Sequence, residues 1–283
     1  MGPDDLVLCS GTLRRGTTFA ARLHAAAAGG FSAVSLWGRD YAAARQEGLS
    51  DADLRIMLDD HGLVVAEVDP AWWWPPGAAD VTIPPGLDSE DIFGFGETAL
   101  FAMADALGAR SINAVDVLGG AWDLDAAAEA FAGLCTRAAE HGLLVHLEWL
   151  SWSKIPDLAS ALEIVKAAAR PNGGLTIDAW HFVRTGTSID ALRDVPGPSI
   201  LAVQLSDGPL EAEPDLLEAT LHHRQLPGEG EFDLRGLVGA LGDTGTRAPI
   251  GVEVFSDELH ALPADSAARA AARATLGVLH PAG

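Results

Sequence analysis

The stretch LLVHLEWLSWSKIPDLASALEIVKAAARPNGGLTID, residues 143–178, contains the unit from which the rest of the chain is built. It opens on an apolar run, LLVHLEW at 143–149, and passes through a loop rich in Ser, Trp and Pro. DLASALEIVKAAARPNGG follows, a helical pattern with Asp at its start and Gly at its end, as helix caps require. A second apolar run, LTIDAW at 175–180, closes the unit. Short runs rich in Val, Ile and Leu read as buried strands, and a helix between two of them makes them parallel. Both runs end on an acid, Glu148 in the first and Asp178 in the second.

Outward from this stretch the same alternation recurs about eight times. The other strand-like runs are LVLCS (6–10), SAVSLW (32–37), LVVAEVD (63–69), SINAVDV (111–117), ILAVQLS (200–206) and IGVEVF (250–255). Helical patterns lie between them, such as TTFAARLHAAAAGG, SDADLRIMLDDHG and DLRGLVGALGDTG, many opening on Ser, Thr or Asp and closing on Gly. Eight such units predict a single (β/α)8 TIM barrel over residues 1–283. A doubly wound open sheet is the alternative, but CSGTLRRGTTF after the first run lacks its glycine-rich phosphate fingerprint.

In a barrel of parallel strands the C-terminal ends converge on one rim, where active sites are built. Glu148, Asp178, Gln204 and Glu253 each close an apolar run, so four oxygen donors are expected around one point. Three carboxylates and an amide oxygen suit one hard divalent cation, Mn²⁺ first, with Mg²⁺ and Co²⁺ as alternatives. Such a site fits a chelating α-hydroxyketone. Glu148 and Glu253, one on each side, are the expected catalytic base and acid for removing and returning a proton beside the carbonyl. Reprotonation gives epimerisation or isomerisation, and loss of a β-hydroxyl gives dehydration. Any one such acid, alone, has the alternative of a cap or a partner to a ligand.

All eight tryptophans lie at or beyond strand ends, and Trp37, Trp149 and Trp180 are expected to stack on a cyclic substrate. Lys154 is expected to offer a substrate-binding ammonium, with a solvated loop lysine as the alternative. His146 shares the strand face of Glu148, which makes it a barrel-interior residue or an orienter of a ligand. Asp207 is read as a hydrogen-bonding partner to the metal site. Residues 70–95, rich in Trp, Pro and Gly, are expected to close over the pocket.

The chain resembles the xylose-isomerase-like TIM-barrel superfamily of sugar phosphate isomerases and epimerases, from LVLCS to its final helix. Glu148 in HLEWL, Asp178 in TIDAWH and Glu253 in GVEVF match the metal site of ketose 3-epimerases and inosose-processing relatives. Gln204, in AVQLSD, stands where those epimerases place a histidine and is similar to the bacterial 3-dehydroshikimate dehydratases. The resemblance also implies that His181 touches a substrate oxygen and that Arg224, ahead of LPGEGEFD, reaches into the pocket. A salt bridge from Arg224 to Glu229 is the alternative. The expected activity is a divalent-metal-dependent isomerase or epimerase acting through an enediolate on a keto-sugar, cyclitol or bulkier cyclic ketone. The alternative is a dehydratase.

Composition narrows the partners. A net charge of −22 over 283 residues, with no basic run, repels nucleic acid. Acids near the N-terminus and the lack of a long apolar run argue against a signal peptide or membrane span. The two cysteines read as free core thiols, and a cytoplasmic protein binding a small-molecule substrate is expected. No segment identifies a homo-oligomer surface.

Overall fold

The computed structural model describes residues 1–82 and 93–280. Eight strands form a closed barrel in sequence order: β1 Leu6–Leu8, β2 Ala33–Trp37, β3 Val64–Ala71, β4 Ser111–Val115, β5 Leu144–Glu148, β6 Gly173–Asp178, β7 Ile200–Leu205 and β8 Ile250–Val252. Every neighbouring pair is parallel, and β8 closes on β1. The expected single barrel is therefore present, and its helices are capped as the sequence indicates. Thr18, Ser50, Asp123, Asp157 and Asp233 accept a backbone N–H at helix starts, and Gly30, Gly62, Gly108 and Gly245 end helices in the left-handed conformation.

Two of the differences between strand ends and the sequence reading bear on the rim. LTIDAW does not continue as a strand to Trp180. β6 stops at Asp178, whose Oδ1 accepts the Trp180 N–H at 2.6 Å and starts the helix Ala179–Arg184. IGVEVF leaves the strand after Val252, although the Glu253 N–H still donates to the Leu205 carbonyl at 3.0 Å.

Alternation along the strands splits the residues into two sets. Val34, Leu36, Val68, Ile112, Val145, Leu147, Leu175, Ile177, Val203 and Val252 belong to the continuous apolar core that joins barrel and helices. The other set faces inward. At the floor it is apolar, where Val7, Ala33 and Ala66 form a separate cluster. Above them it is polar, with Ser35, Glu67, Asp69, Ser111, Asn113, His146, Thr176 and Gln204 all buried. Gly251 is required at this level: a Cβ there would lie 2.9 Å from Cys9 Sγ and from the Val203 carbonyl, and 3.3 Å from Gln204 Cγ. Cys9 and Cys135 are buried free thiols, as expected.

A buried ion pair braces the rim beside β1 and β2. The Arg22 guanidinium donates to Asp40 Oδ1 at 3.2 Å and to the Ser10 carbonyl at 3.1 Å. Asp40 Oδ2 in turn accepts from Ser10 Oγ at 2.6 Å and from the Trp37 N–H at 3.0 Å. No helix among the described residues is long and apolar enough to cross a membrane.

Candidate metal and catalytic site

Glu148, Asp178 and Gln204 lie at the ends of β5, β6 and β7, and Glu253 follows β8 directly; all four are buried. Strand order brings the first three onto neighbouring strands, since β5 pairs with β6 and β6 with β7, where Asp178 stands opposite Gln204. Glu148, Asp178 and His181 offer ligand atoms that all lie within 4.8 Å of one another. His181 reaches them because the short helix capped by Asp178 turns its ring back, placing Nε2 3.8 Å from Glu148 Oε1 and 4.0 Å from Asp178 Oδ2. Its Nδ1 has no hydrogen-bond partner among the described residues.

Arg224 sits among these acids. Its Nη1 lies 3.0 Å from Asp178 Oδ2 and 3.4 Å from Glu253 Oε2, and its Nε donates to the Thr220 carbonyl at 3.0 Å. The salt bridge to Glu229 considered from sequence is thus replaced by pairing with two acids of the site. Even so, negative charge dominates. Burial, then the charges of Glu253 and Asp178, push the Glu148 carboxyl well above its ordinary range. Burial also pushes Glu253 well above it, against the opposing pull of Arg224.

A polar layer lies beneath the acids. Asn113 Nδ2 donates to Glu148 Oε2 at 2.5 Å and to Asp69 Oδ1 at 3.2 Å. Trp37 Nε1 donates to Asp69 Oδ2 at 3.0 Å. His146 Nδ1 lies 2.6 Å from Thr176 Oγ1 and 3.1 Å from Asn113 Oδ1, while its Nε2 lies 3.3 Å from Glu67 Oε2. Burial lowers the His146 pKa to about 3, so the ring is neutral. Burial, then the Asp69 charge, raises Glu67 to about 8, and burial raises Asp69 to about 6. His146 is therefore an interior residue that links Glu67 to the hydrogen bonds around Glu148.

The donor set fits a divalent cation on two observations. Gln204 Oε1 is buried without a hydrogen-bond partner among the described residues, while the amide's other end is engaged by Glu67. Buried polar oxygens are rarely left so. The carboxylates of Glu148, Asp178 and Glu253 also crowd together with mutual repulsion that one guanidinium does not cancel.

Above the site opens a cavity of about 360 Å³. Its apolar wall includes Leu13, Trp37, Val115, Leu150, Trp152 and Phe255. Its polar wall includes Arg15, Arg39, Asp69, His181, Arg224 and His260, together with Glu148 and Glu253. Trp37 is thus on the wall as the sequence suggests, with Arg39 stacked 4.0 Å over its ring.

Three expected substrate contacts are corrected. Trp149 and Trp180 are fully buried and pack behind the wall in the barrel-helix core, because their side chains fall on the outward face of the strand-helix turns. Trp180 Nε1 donates to Thr220 Oγ1 at 2.8 Å. Lys154 does not line the cavity; its Nζ donates to the Trp122 carbonyl, and its backbone N–H donates to Asp116 Oδ2 at 3.1 Å. Asp207 holds a loop instead of a ligand, accepting the N–H groups of Gly228 and Phe232 at 2.9 Å. Trp72 and Trp74 are pinned by carbonyls, those of Phe95 and Val115. Much of the expected closing segment, residues 83–92, lies outside the described residues.

Sequence reasoning missed Glu67, Asp69, Asn113 and Arg15. Glu67 and Asp69 stand two apart in LVVAEVD, as Ser111 and Asn113 do in SINAVDV. That period-two polarity in otherwise apolar runs is the signal that places them inside the barrel.

Known proteins with this arrangement can now be compared. One stretch of 131 residues is 37% identical to a 3-dehydroshikimate dehydratase of Pseudomonas aeruginosa, covering 46% of this chain and 20% of that protein. A stretch of 144 residues is 30% identical to an inosose isomerase of Bacillus subtilis, covering 50% of this chain and 51% of that one. The chain thus spans about a fifth and about half of the lengths of these relatives. The crystal structure of the IOLI protein with a bound zinc atom superposes with a TM-score of 0.82 over 97% of this chain and 98% of that one, at 21% identity. A xylose isomerase-like TIM barrel/4-hydroxyphenylpyruvate dioxygenase fusion protein gives a TM-score of 0.81 over 98% of this chain and 42% of that one, at 25% identity. The family model for the xylose isomerase-like TIM barrel matches residues 23–278, and the chain belongs to that family.

Proposed function

We propose that the protein is a metal-dependent isomerase or epimerase that enolises an α-hydroxyketone held in the rim cavity. The observation that carries this reading is the meeting of Glu148 and Glu253 at the floor of one cavity, beside Asp178 and a partnerless Gln204 oxygen. Glu148, Asp178, Gln204 and Glu253 would hold one divalent cation, Mn²⁺ by the preference of an all-oxygen set. When bound, that ion supplies Lewis-acid stabilisation of the negative charge that develops on the substrate oxygen.

The chain's own groups do the rest. Glu148 and Glu253, raised in basicity by burial, exchange a proton with the carbon beside the carbonyl, one as base and the other as acid. Arg224 and His181, both on the cavity wall, donate hydrogen bonds to substrate oxygens and fix the face presented to each glutamate. Trp37, Trp152 and Phe255 cover the apolar side of a ring and keep water from the reacting carbon.

A second reading, a dehydratase, is favoured by Gln204 and by the 37% identity to the dehydratase segment. Both readings share the enolisation step. The test is solvent-deuterium exchange into inosose and 3-dehydroshikimate with Mn²⁺-loaded protein, read by mass spectrometry beside Glu253→Gln. Incorporation without loss of mass supports the isomerase, loss of water supports the dehydratase, and equal exchange by Glu253→Gln refutes the role of that residue.

A further inference from the structure

A glutamine is an ambiguous metal ligand. Its two amide ends are nearly the same size, but the carbonyl oxygen has lone pairs to give and the NH₂ has none. Which end faces the carboxylates therefore depends on what stands behind the amide. Here that group is Glu67, on β3 across the barrel from Gln204 on β7, with Oε1 3.4 Å from Gln204 Nε2.

Glu67 is itself fixed. Its Oε2 lies 3.3 Å from His146 Nε2, and His146 Nδ1 meets Thr176 and Asn113. Thr176 Oγ1 donates to Asn113 Oδ1 at 3.0 Å, and Asn113 Nδ2 ends the chain on Glu148 Oε2. One buried series of polar contacts, hydrogen bonds joined by the 3.3 Å approach of Glu67 to His146, thus runs from Gln204 to Glu148, two members of the donor set. Ser111 Oγ donates to the Ala66 carbonyl at 2.8 Å and lies 3.0 Å from His146 Nε2, so the His146 ring that meets Glu67 is itself held from β4.

We infer that Glu67 is a positioning residue for the metal site, accepting the Gln204 N–H so that the amide oxygen alone faces the cation. The inference rests on the proposed metal site and adds to it the reason that a glutamine can serve there. Glu67 acts by the oxygen it offers the Gln204 N–H and by its length, so a neutral acceptor of the same length serves as well. Charge attraction to a cation would give the opposite ordering of variants, and this makes the two accounts separable.

The experiment is calorimetric titration of EDTA-stripped protein with Mn²⁺ alone, with no substrate. Glu67→Gln keeps an acceptor oxygen toward Gln204 and a donor toward His146, so it should bind within about threefold of wild type. Glu67→Asp, one methylene short, and Glu67→Leu should lose roughly 10–100-fold, the usual effect of removing a partner that orients a ligand. In a Gln204→Ala background, Glu67→Leu should add no more than about twofold, because distant or uncoupled effects would add in full. Should Glu67→Leu not fold, the Asp and Gln variants still decide. The inference is overturned if Glu67→Asp binds better than Glu67→Gln, if all three variants bind as wild type does, or if the loss persists in full without Gln204. Wild-type protein that binds no Mn²⁺, Mg²⁺, Co²⁺ or Zn²⁺ would instead remove the metal site itself, and the inference with it.

Discussion

Replacing Arg224 with methionine isolates the charge balance of the site. The stem of the side chain keeps its packing near Trp180 and Phe255, over whose rings the guanidinium sits at 5.5 and 5.0 Å. What is lost is the one cation placed 3.0 Å from Asp178 and 3.4 Å from Glu253. Removing one partner from a buried pair costs about 3–5 kcal/mol, because a charge is left uncompensated. At roughly 2–4 °C per kcal/mol for a chain of this size, Tm in EDTA should fall by about 10 °C. Proton uptake relieves part of the loss, and its sign is fixed. Glu148 and Glu253 have folded pKa values raised well above 4.5, so their folded state is favoured at low pH and loses stability as pH rises through those values. The deficit of Arg224→Met should therefore grow from pH 6 to pH 8. Saturating Mn²⁺ should reverse this and raise Tm more in the variant than in wild type, since a bound cation replaces the missing charge. Thermal unfolding followed by circular dichroism at both pH values, with and without the ion, reads all three effects. A variant within about 1 kcal/mol of wild type in EDTA, or an Mn²⁺ shift equal in the two proteins, would refute the argument.

Three further perturbations address the scaffold. Arg22→Met removes the nearer guanidinium from the buried Asp40 carboxylate, leaving Arg39 Nε at 3.9 Å, and should cost about 3 kcal/mol by denaturant unfolding, with a loss under about 1 kcal/mol showing that the ion pair at 3.2 Å is dispensable. Gly251→Ala pushes a methyl against Cys9, the Val203 carbonyl and Gln204, so it should destabilise by about 1–3 kcal/mol and weaken Mn²⁺ binding; a stable variant with unchanged affinity would contradict the close packing. His146, with its pKa lowered to about 3, stays neutral in the fold while the unfolded ring protonates below about 6.5. Its contribution to stability should fall as pH drops through that window, by up to about 1.4 kcal/mol per pH unit and against the gain from the raised carboxyls of Glu148 and Glu253, so His146→Gln should gain stability relative to wild type between pH 6 and pH 4.

Much of this protein follows from local order in its sequence. Apolar runs alternating with capped helical patterns dictate parallel strands, and eight of them close a barrel, because the strand-helix unit has one favourable hand and each unit buries the flank of the next. Strand direction then carries Glu148, Asp178, Gln204 and Glu253 to one rim, which is why the acids converge as the sequence indicates. Side-chain facing at the turns was not legible in the same way. Trp149, next after the inward Glu148, is turned into the core by the strand alternation itself, while Trp180, two past Asp178, points there because the strand gives way to a helix at Asp178 and no longer keeps a period of two. Contacts between distant segments were beyond any local pattern. The grip of Arg224 on Asp178, the reach of Glu67 to Gln204 across the barrel and the shared Asn113 beneath Glu148 and Asp69 join residues far apart in sequence. Such pairs are settled only when the closed ring fixes which inward side chains meet, for their hydrogen bonds depend on distances of a few tenths of an ångström that no spacing along one strand determines.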